Sequence, residues 1–361
     1  MMAKQDIIVI GASAGGLVPL MDLVRELPVD FPGSIFVVVH VPAFSKSELP
    51  KMLTRLGKLK AVHAKDGDPI EKSMIYVAPP DHHMLIEEGG IIVKKGPKEN
   101  RFRPSIDALF RSAAYEYGTR VVGVILSGML DDGTSGLWTV KRLGGTAIVQ
   151  DLEEATYDSM PRSALEYVEI DHVLNVLEMP AILQKLSKKS ASRQLKIPVR
   201  LMKLLETEIV IAAKDNAFQM GILEMGDLTP FTCPECHGVL VQLKEAGIMR
   251  FRCHTGHAFT ASALLAGVSE TSEEALWQAM RALEESTMLL SKMAEHFKSV
   301  KQLQAAEVFF KKADTIASRA KVIHNLVSDQ EQISGELKNT ISPSKELLKK
   351  PDKKTRVLKA S

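Results

Sequence analysis

Charge of a single sign, cysteine, aromatics and long apolar runs are all scarce in this chain. Its 361 residues carry 46 Lys and Arg against 44 Asp and Glu, a formal net charge of +2. No global field of one sign is therefore available to draw nucleic acid or a lipid surface. There are three cysteines, an odd number that does not suit a disulfide framework. Only 5% of the residues are aromatic. The longest apolar runs, such as residues 7–10 and 121–126, fall far short of the ~20 residues that span a bilayer. The opening Met-Met-Ala-Lys-Gln-Asp lacks the basic segment and apolar stretch of a secretory leader. The expectation is a cytoplasmic protein with no membrane insertion and no nucleic-acid partner.

What the chain does contain is an alternation of short apolar runs with amphipathic stretches over its first 180 residues. Candidate strands are residues 7–10, 35–40, 74–77, 121–126, 146–150 and 172–174, with helical patterns at 17–26 and 106–115. Nearly continuous apolar strands separated by helices predict an α/β fold, a doubly wound and mostly parallel sheet in a Rossmann-like three-layer arrangement. One insert breaks the rhythm. Residues 84–87 and 91–95 flank Glu88-Gly89-Gly90 and read as a β-hairpin.

The first strand runs into Gly11-Ala-Ser13-Ala14-Gly15-Gly16. Such a turn either cradles a pyrophosphate at a helix N-terminus, exposes Ser13 as a nucleophile, or merely caps the helix with Ser13. The second strand discriminates. A dinucleotide fold calls for Asp or Glu at its end to bind ribose, but here the strand ends in His40-Val41-Pro42. Carboxyl ends of neighbouring strands share one crevice, so His40 and Ser13 are expected within reach of each other. A third strand leads through Ser127-Gly128-Met129-Leu130 to Asp131 and Asp132. A serine hydrolase needs a base to take the hydroxyl proton and an acid to orient that base. Ser13, His40 and Asp132 supply those roles, one of the two acids being expected to do no more than cap a helix. Backbone amides near Ala14 and Met129 are candidate oxyanion donors.

These residues resemble the catalytic domain of the chemotaxis-type protein-glutamate methylesterases, the CheB family. The matching stretches are Gly11-Ala-Ser-Ala-Gly-Gly16, Val39-His-Val-Pro42, Tyr76-Val-Ala-Pro-Pro-Asp-His82, Arg103-Pro-Ser-Ile-Asp107 and Leu126-Ser-Gly-Met-Leu-Asp-Asp-Gly133. The resemblance implies Ser13 as nucleophile, His40 as base, Asp132 as orienting acid and Met129 at the oxyanion hole. It also implies demethylation of glutamate methyl esters on a methylated chemoreceptor-like protein, with glutamine deamidation as a related activity and no cofactor for catalysis. Family members commonly have Thr where Ala14 stands, and often Gly-Asn in place of Leu130-Asp131. Chemotaxis-type members also carry an N-terminal phosphoacceptor domain, whereas the first strand here begins at residue 7; activation by phosphorylation in cis is not expected. Arg101 and Arg103 read equally well as contacts to an acidic receptor helix or as surface residues before a helix capped by Ser105.

All three cysteines fall in one window, Cys233-Pro-Glu-Cys236 and Cys253-His-Thr-Gly-His257. Two short knuckles on a hairpin suit a tetrahedral structural zinc held by Cys233, Cys236, Cys253 and His257, with His237 or His254 as alternative fourth ligands. Beyond it, residues 276, 280, 283, 287, 290, 294 and 297 alternate spacings of four and three, as do residues 306, 309, 313, 316, 320, 323 and 327. Two such seams predict a helical hairpin, a candidate docking element for further signalling partners. The expected organisation is a catalytic domain at 1–190, a linker with a helix at 191–228, a zinc-ribbon-like module at 229–266, the hairpin at 267–330 and a basic, disordered tail at 331–361. On this reading the catalytic domain stands alone and the zinc module takes no part in ester cleavage. The alternative function is a degenerate esterase domain that acts as a signalling scaffold.

Overall fold

The computed structural model describes residues 4–328 apart from 45, 88, 192–195, 215–216 and 244–246; the expected basic tail lies outside the described residues. In chain order the first elements are β1 (Ile7–Ala12), α1 (Leu17–Glu26), β2 (Ser34–Val39), α2 (Leu49–Leu56), β3 (Lys60–His63) and β4 (Met74–Val77). A hairpin of β5 (His83–Glu87) and β6 (Gly90–Lys94) follows, then α3 (Ile106–Tyr117), β7 (Val121–Ile125) and α4 (Thr134–Arg142). The α/β region closes with β8 (Thr146–Gln150), α5 (Ser159–Tyr167), β9 (His172–Leu174) and α6 (Met179–Lys188).

Seven strands form one parallel sheet in the order β3-β4-β2-β1-β7-β8-β9. The alternation of side chains explains the apolar runs: Ile7 and Val9 enter one buried layer with Leu109 and Leu137, while Ile8 and Ile10 enter the other with Leu20 and Leu183. A strand covered by helices on both faces has no polar side. Strand order reverses between β1 and β7. That switch point is where an open α/β sheet parts its connecting loops and leaves a crevice.

The chain continues through α7 (Val199–Lys214), β10 (Gly226–Thr232), β11 (Val239–Leu243), β12 (Arg250–Cys253) and β13 (Ala258–Thr260). The last four pair as an antiparallel sheet. The expected separation of a free-standing domain at 1–190 from a zinc module gives way here: Met1–Leu264 form one compact unit. Two physical causes are visible. Leu205 of α7 enters the same core as Leu109 of α3, and Ala212 packs with Leu85 and Ala108. A buried ionic cluster also ties three segments together. Glu99 receives Arg111 at 3.1 and 2.8 Å and Arg252 at 2.7 Å, while Glu208 of α7 receives Arg250 at 3.0 and 2.6 Å and Arg252 at 2.9 Å. All five side chains are at most 3% exposed. Burial alone would neutralise the two carboxylates; the guanidinium groups outweigh it and hold Glu99 well below the usual range and Glu208 at about 2.

The second unit, Leu265–Ser361, contains most of α8 (Ala261–Ser299) and α9 (Leu303–Ser328). Ala306, Ala313, Ala320 and Val327, seven residues apart, are buried, and Phe297 stacks on Phe309 with centroids 5.1 Å apart. The two seams read from the sequence are thus the contact faces of the helical pair.

Candidate active site and cysteine cluster

Ser13 follows β1, His40 follows β2 and Asp132 follows β7, so three adjacent strands deliver one residue each to the switch-point crevice. His40 Nδ1 lies 3.1 Å from Ser13 Oγ, and His40 Nε2 lies 2.8 Å from Asp132 Oδ2. The His40 and Asp132 side chains are only 4% and 1% exposed.

Backbone geometry sets the serine in place. Gly15 takes φ +70°, a left-handed turn that a Cβ would strain. The Ser13 amide donates to Ser127 O at 3.0 Å, and Ser127 Oγ donates to Ala14 O at 2.9 Å. Gly128 lets the β7 loop approach: a Cβ there would sit 2.9 Å from Ser13 Cβ and 2.0 Å from Met160 Sδ. The amides of Ala14 and Met129 flank the serine on these two turns, and neither donates a hydrogen bond among the described residues. Met129 is 43% exposed at the mouth.

Asp132 does more than face the imidazole. Its Oδ1 accepts from Asn100 Nδ2 at 2.9 Å, Ser105 Oγ at 3.0 Å and Asp107 N at 3.3 Å. Its Oδ2 accepts from Ile106 N at 2.7 Å as well as from His40. The carboxylate therefore caps α3, where two free amides and the helix dipole favour an anion. Burial opposes its ionisation, yet the bonds from His40, Asn100 and Ile106 prevail and keep its pKa below the ordinary value. Ser105 precedes α3 without a side-chain cap bond to it, because its hydroxyl is turned to Asp132. Asp131 has a different partner: its Oδ1 accepts from Thr260 Oγ1 at 2.8 Å, and burial pushes its pKa up to about 6. Neither acid caps α4 through its side chain.

Three neighbours escaped the sequence reading. Phe102 stacks on the His40 ring, centroids 3.7 Å apart at 7°. Asn100 bridges Asp132 and Asp107, the latter at 2.8 Å. Asp107 is buried beside Asp132, and desolvation with that negative neighbour raises it to about 8. Phe102 and Asn100 had a sequence signal only in their nearness to the Arg103-Pro-Ser-Ile-Asp107 stretch, and Asp107 only as its last residue. Arg103 makes its bonds inside the fold, donating to Asp81 Oδ1 at 2.9 and 2.6 Å and to Gly96 O at 2.6 Å. Arg101 is half-buried with φ 73°.

The cysteine cluster forms as the spacing implied. Ligand atoms of Cys233, Cys236, Cys253 and His257 all lie within 4.8 Å of one another. Cys236 and Cys253 Sγ are 3.6 Å apart, and His257 Nδ1 is 3.7 Å from Cys233 Sγ and 3.6 Å from Cys253 Sγ. A tetrahedron with Zn–S near 2.3 Å and Zn–N near 2.0–2.1 Å has edges of about 3.8 and 3.5 Å. The donor set and its spacing therefore fit a metal such as zinc, with the imidazole bound through Nδ1. His257 completes the set; His237 and His254 do not enter it.

The fold and this cleft define a class: an α/β protein with Ser, His and Asp juxtaposed at the switch point of a parallel sheet. Comparison with known proteins narrows it. The family model for the CheB methylesterase matches residues 8–183. A putative protein-glutamate methylesterase/protein-glutamine glutaminase of Leptospira interrogans is 37% identical over 188 residues, covering 52% of this chain and 97% of that protein. Protein-glutamate methylesterase/protein-glutamine glutaminase 2 of Anaeromyxobacter dehalogenans is 38% identical over 186 residues, 52% of this chain and 54% of that protein. The chain thus spans about half the length of several curated relatives that it matches. The crystal structure of the Thermotoga maritima CheB methylesterase catalytic domain, 35% identical, covers 52% of this chain and 100% of that domain with a TM-score of 0.49. The chain belongs to the CheB methylesterase family. Among the described residues no helix is long and apolar enough to cross a membrane.

Proposed function

We propose that this protein is a serine hydrolase that removes methyl groups from glutamate methyl esters of a chemoreceptor-like protein, and that it also deamidates glutamine side chains. The observation that carries the reading is the unbroken line Ser13 Oγ, His40 Nδ1, His40 Nε2, Asp132 Oδ2, with spacings of 3.1 and 2.8 Å. Names of the relatives support the substrate class. In this scheme the Asp132 carboxylate accepts a hydrogen bond from His40 Nε2–H, which fixes the proton on that nitrogen and leaves Nδ1 bare, facing the serine. Nδ1 takes the hydroxyl proton as Ser13 Oγ attacks the ester carbonyl. The amides of Ala14 and Met129 hold the resulting oxyanion. Collapse of the tetrahedral intermediate breaks the ester C–O bond, and His40 returns its proton to the departing methanol. Water activated by the same nitrogen then cleaves the acyl-enzyme and restores the glutamate carboxylate. For glutamine the leaving group is ammonia. The Ser13→Ala variant should release no methanol from methylated receptor while keeping the parental fold; methanol release at the parental rate would refute the nucleophile assignment.

A bound zinc would contribute tetrahedral cross-linking of β10–β11 to β12–β13 and no open position for a reacting atom. Cys233, Cys236, Cys253 and His257 would hold it, and thiolate ligands suit the reducing cytoplasm. One metal per chain is expected in the parent and a large loss in Cys233→Ser, measured by elemental analysis; a metal-free parent from zinc-supplemented growth would overturn this.

A further inference from the structure

Residues 98–100 run beside the cysteine module, and each of the three is bound to it. Lys98 pairs with Glu235, which lies between the two cysteines of the first knuckle, at 2.9 Å. Glu99 pairs with Arg252, the residue before Cys253. Asn100 is held by two bonds to β13, and the Lys98 carbonyl beside it by a third. The Asn100 amide donates to Ala258 O at 2.7 Å, its Oδ1 accepts from Thr260 N at 2.9 Å, and the Ala258 amide donates to Lys98 O at 3.2 Å. Ala258 directly follows the ligand His257, and the His257 carbonyl accepts from Cys253 N at 3.0 Å. A continuous path of covalent and hydrogen bonds thus runs from the metal-ligand cluster through β13 and Asn100 to Asp132, and from Asp132 to His40.

Backbone conformation shows that this arrangement is imposed on residues 100–101. Asn100 and Arg101 have φ of 50° and 73°, two successive left-handed residues without glycine. Asn tolerates that region better than most residues, Arg does not, and such conformations persist only where the surroundings over-determine them. The strands of the module supply that constraint. The Asn100 side chain is fully used, with Nδ2 donating to Asp132 and Asp107 and Oδ1 accepting from Thr260. It is 3% exposed, so water cannot replace these bonds.

We infer that Asn100 is a positioning residue for the Asp132–His40 pair and that the metal-bound cysteine module, through β13, holds Asn100 in place; the module is thereby part of the active-site scaffold. The inference rests on the hydrolase reading for its consequence in turnover, but the link itself is a property of the residues. Removal of the metal frees β13, Asn100 loses its Ala258 and Thr260 partners, and the imidazole loses its fixed acid.

The test uses the full chain and two readouts. The His40 Nε2–H resonance in the proton NMR spectrum reads the His40–Asp132 bond without any substrate. The rate of Ser13 phosphonylation by a fluorophosphonate ester reads the nucleophile. Asn100→Asp keeps the size, the left-handed tolerance and the acceptor for Thr260, and replaces the amide nitrogen that donates to Asp132 and Asp107. It should retain one metal per chain, shift or broaden the His40 resonance, and slow phosphonylation about ten- to hundredfold, as expected for loss of a hydrogen bond to a charged group. The deficit relative to the parent should shrink as pH falls, since a protonated carboxyl again donates. Stripping the metal with a chelator should move the same resonance and slow the parent strongly, but add little in Asn100→Asp, because the two changes act on one link. A parental His40 resonance in Asn100→Asp, or equal slowing of parent and variant by the chelator, would overturn the inference. A parent whose Ser13 never reacts while its His40 resonance responds as described would leave the link standing and remove the hydrolase reading instead.

Discussion

Replacing Asp132 with Asn changes one atom and tests the proposed chemistry where the geometry is most restrictive. Oδ1 accepts three hydrogen bonds, from Asn100, Ser105 and Asp107 N, whereas Oδ2 accepts two, from His40 and Ile106 N. The new carbonyl therefore takes the Oδ1 position, and the amide nitrogen falls opposite His40 Nε2 and the Ile106 amide. Two consequences follow. The amide must donate to Nε2, which moves the imidazole proton to Nδ1, the atom 3.1 Å from Ser13 Oγ. A protonated Nδ1 cannot accept the serine proton, and wrong-tautomer variants of this kind lose about 10⁴ in kcat, about 5.5 kcal/mol of barrier. The Ile106 N–H also loses its acceptor, at a cost of about 1–3 kcal/mol in stability. The assay is methanol release from methylated receptor with kcat and KM separated, alongside a urea midpoint. KM should stay near parental, and the Ser13→Ala/Asp132→Asn pair should be no worse than Ser13→Ala alone, because the three residues act as a unit. A variant within tenfold of the parent, or losses that multiply in the pair, would refute the role of Asp132.

Glu208→Gln leaves three buried guanidinium groups facing the single carboxylate of Glu99; breaking a buried ionic network by removing one partner costs about 3–5 kcal/mol. Urea midpoints should fall accordingly and hydrogen exchange in residues 199–264 should accelerate, whereas a change below about 1 kcal/mol would mean the cluster contributes little. Asp107, raised to about 8 in the fold, keeps a proton that the unfolded chain releases near pH 4. The folded state binds the extra proton between about pH 4 and pH 8, so this carboxyl makes stability fall as pH rises through that window. Asp107→Asn should remove that slope from a pH series of urea midpoints, and an unchanged slope would show that Asp107 is ionised at neutral pH.

Local pattern alone determined much of this protein. Short, nearly continuous apolar runs placed β4, β8 and β9 to the residue, and an amphipathic pattern placed the Leu17–Glu26 helix likewise. A strand covered on both faces is apolar along its length, and a helix with one buried face repeats its apolar residues. Ser13, His40 and Asp132 were legible for a related reason: strand ends at a switch point converge whatever the details of packing. The cysteine cluster was legible because metal ligands need particular donor atoms at short spacing. Tertiary structure decided the rest. Nothing local marks Asn100 or Phe102 as neighbours of His40, since their contacts join residues 32 apart and more in the chain. Nor does any spacing announce that Glu99, Arg111, Glu208, Arg250 and Arg252 form one buried cluster; charged residues read as solvated until the fold removes their water and supplies their partners. The polar stretch near residue 190 suggested a domain boundary on composition. Burial of Leu205 and Glu208 against the α/β core shows that the chain returns to the domain it had left, and that return brings Thr260 to Asn100 and Asp131.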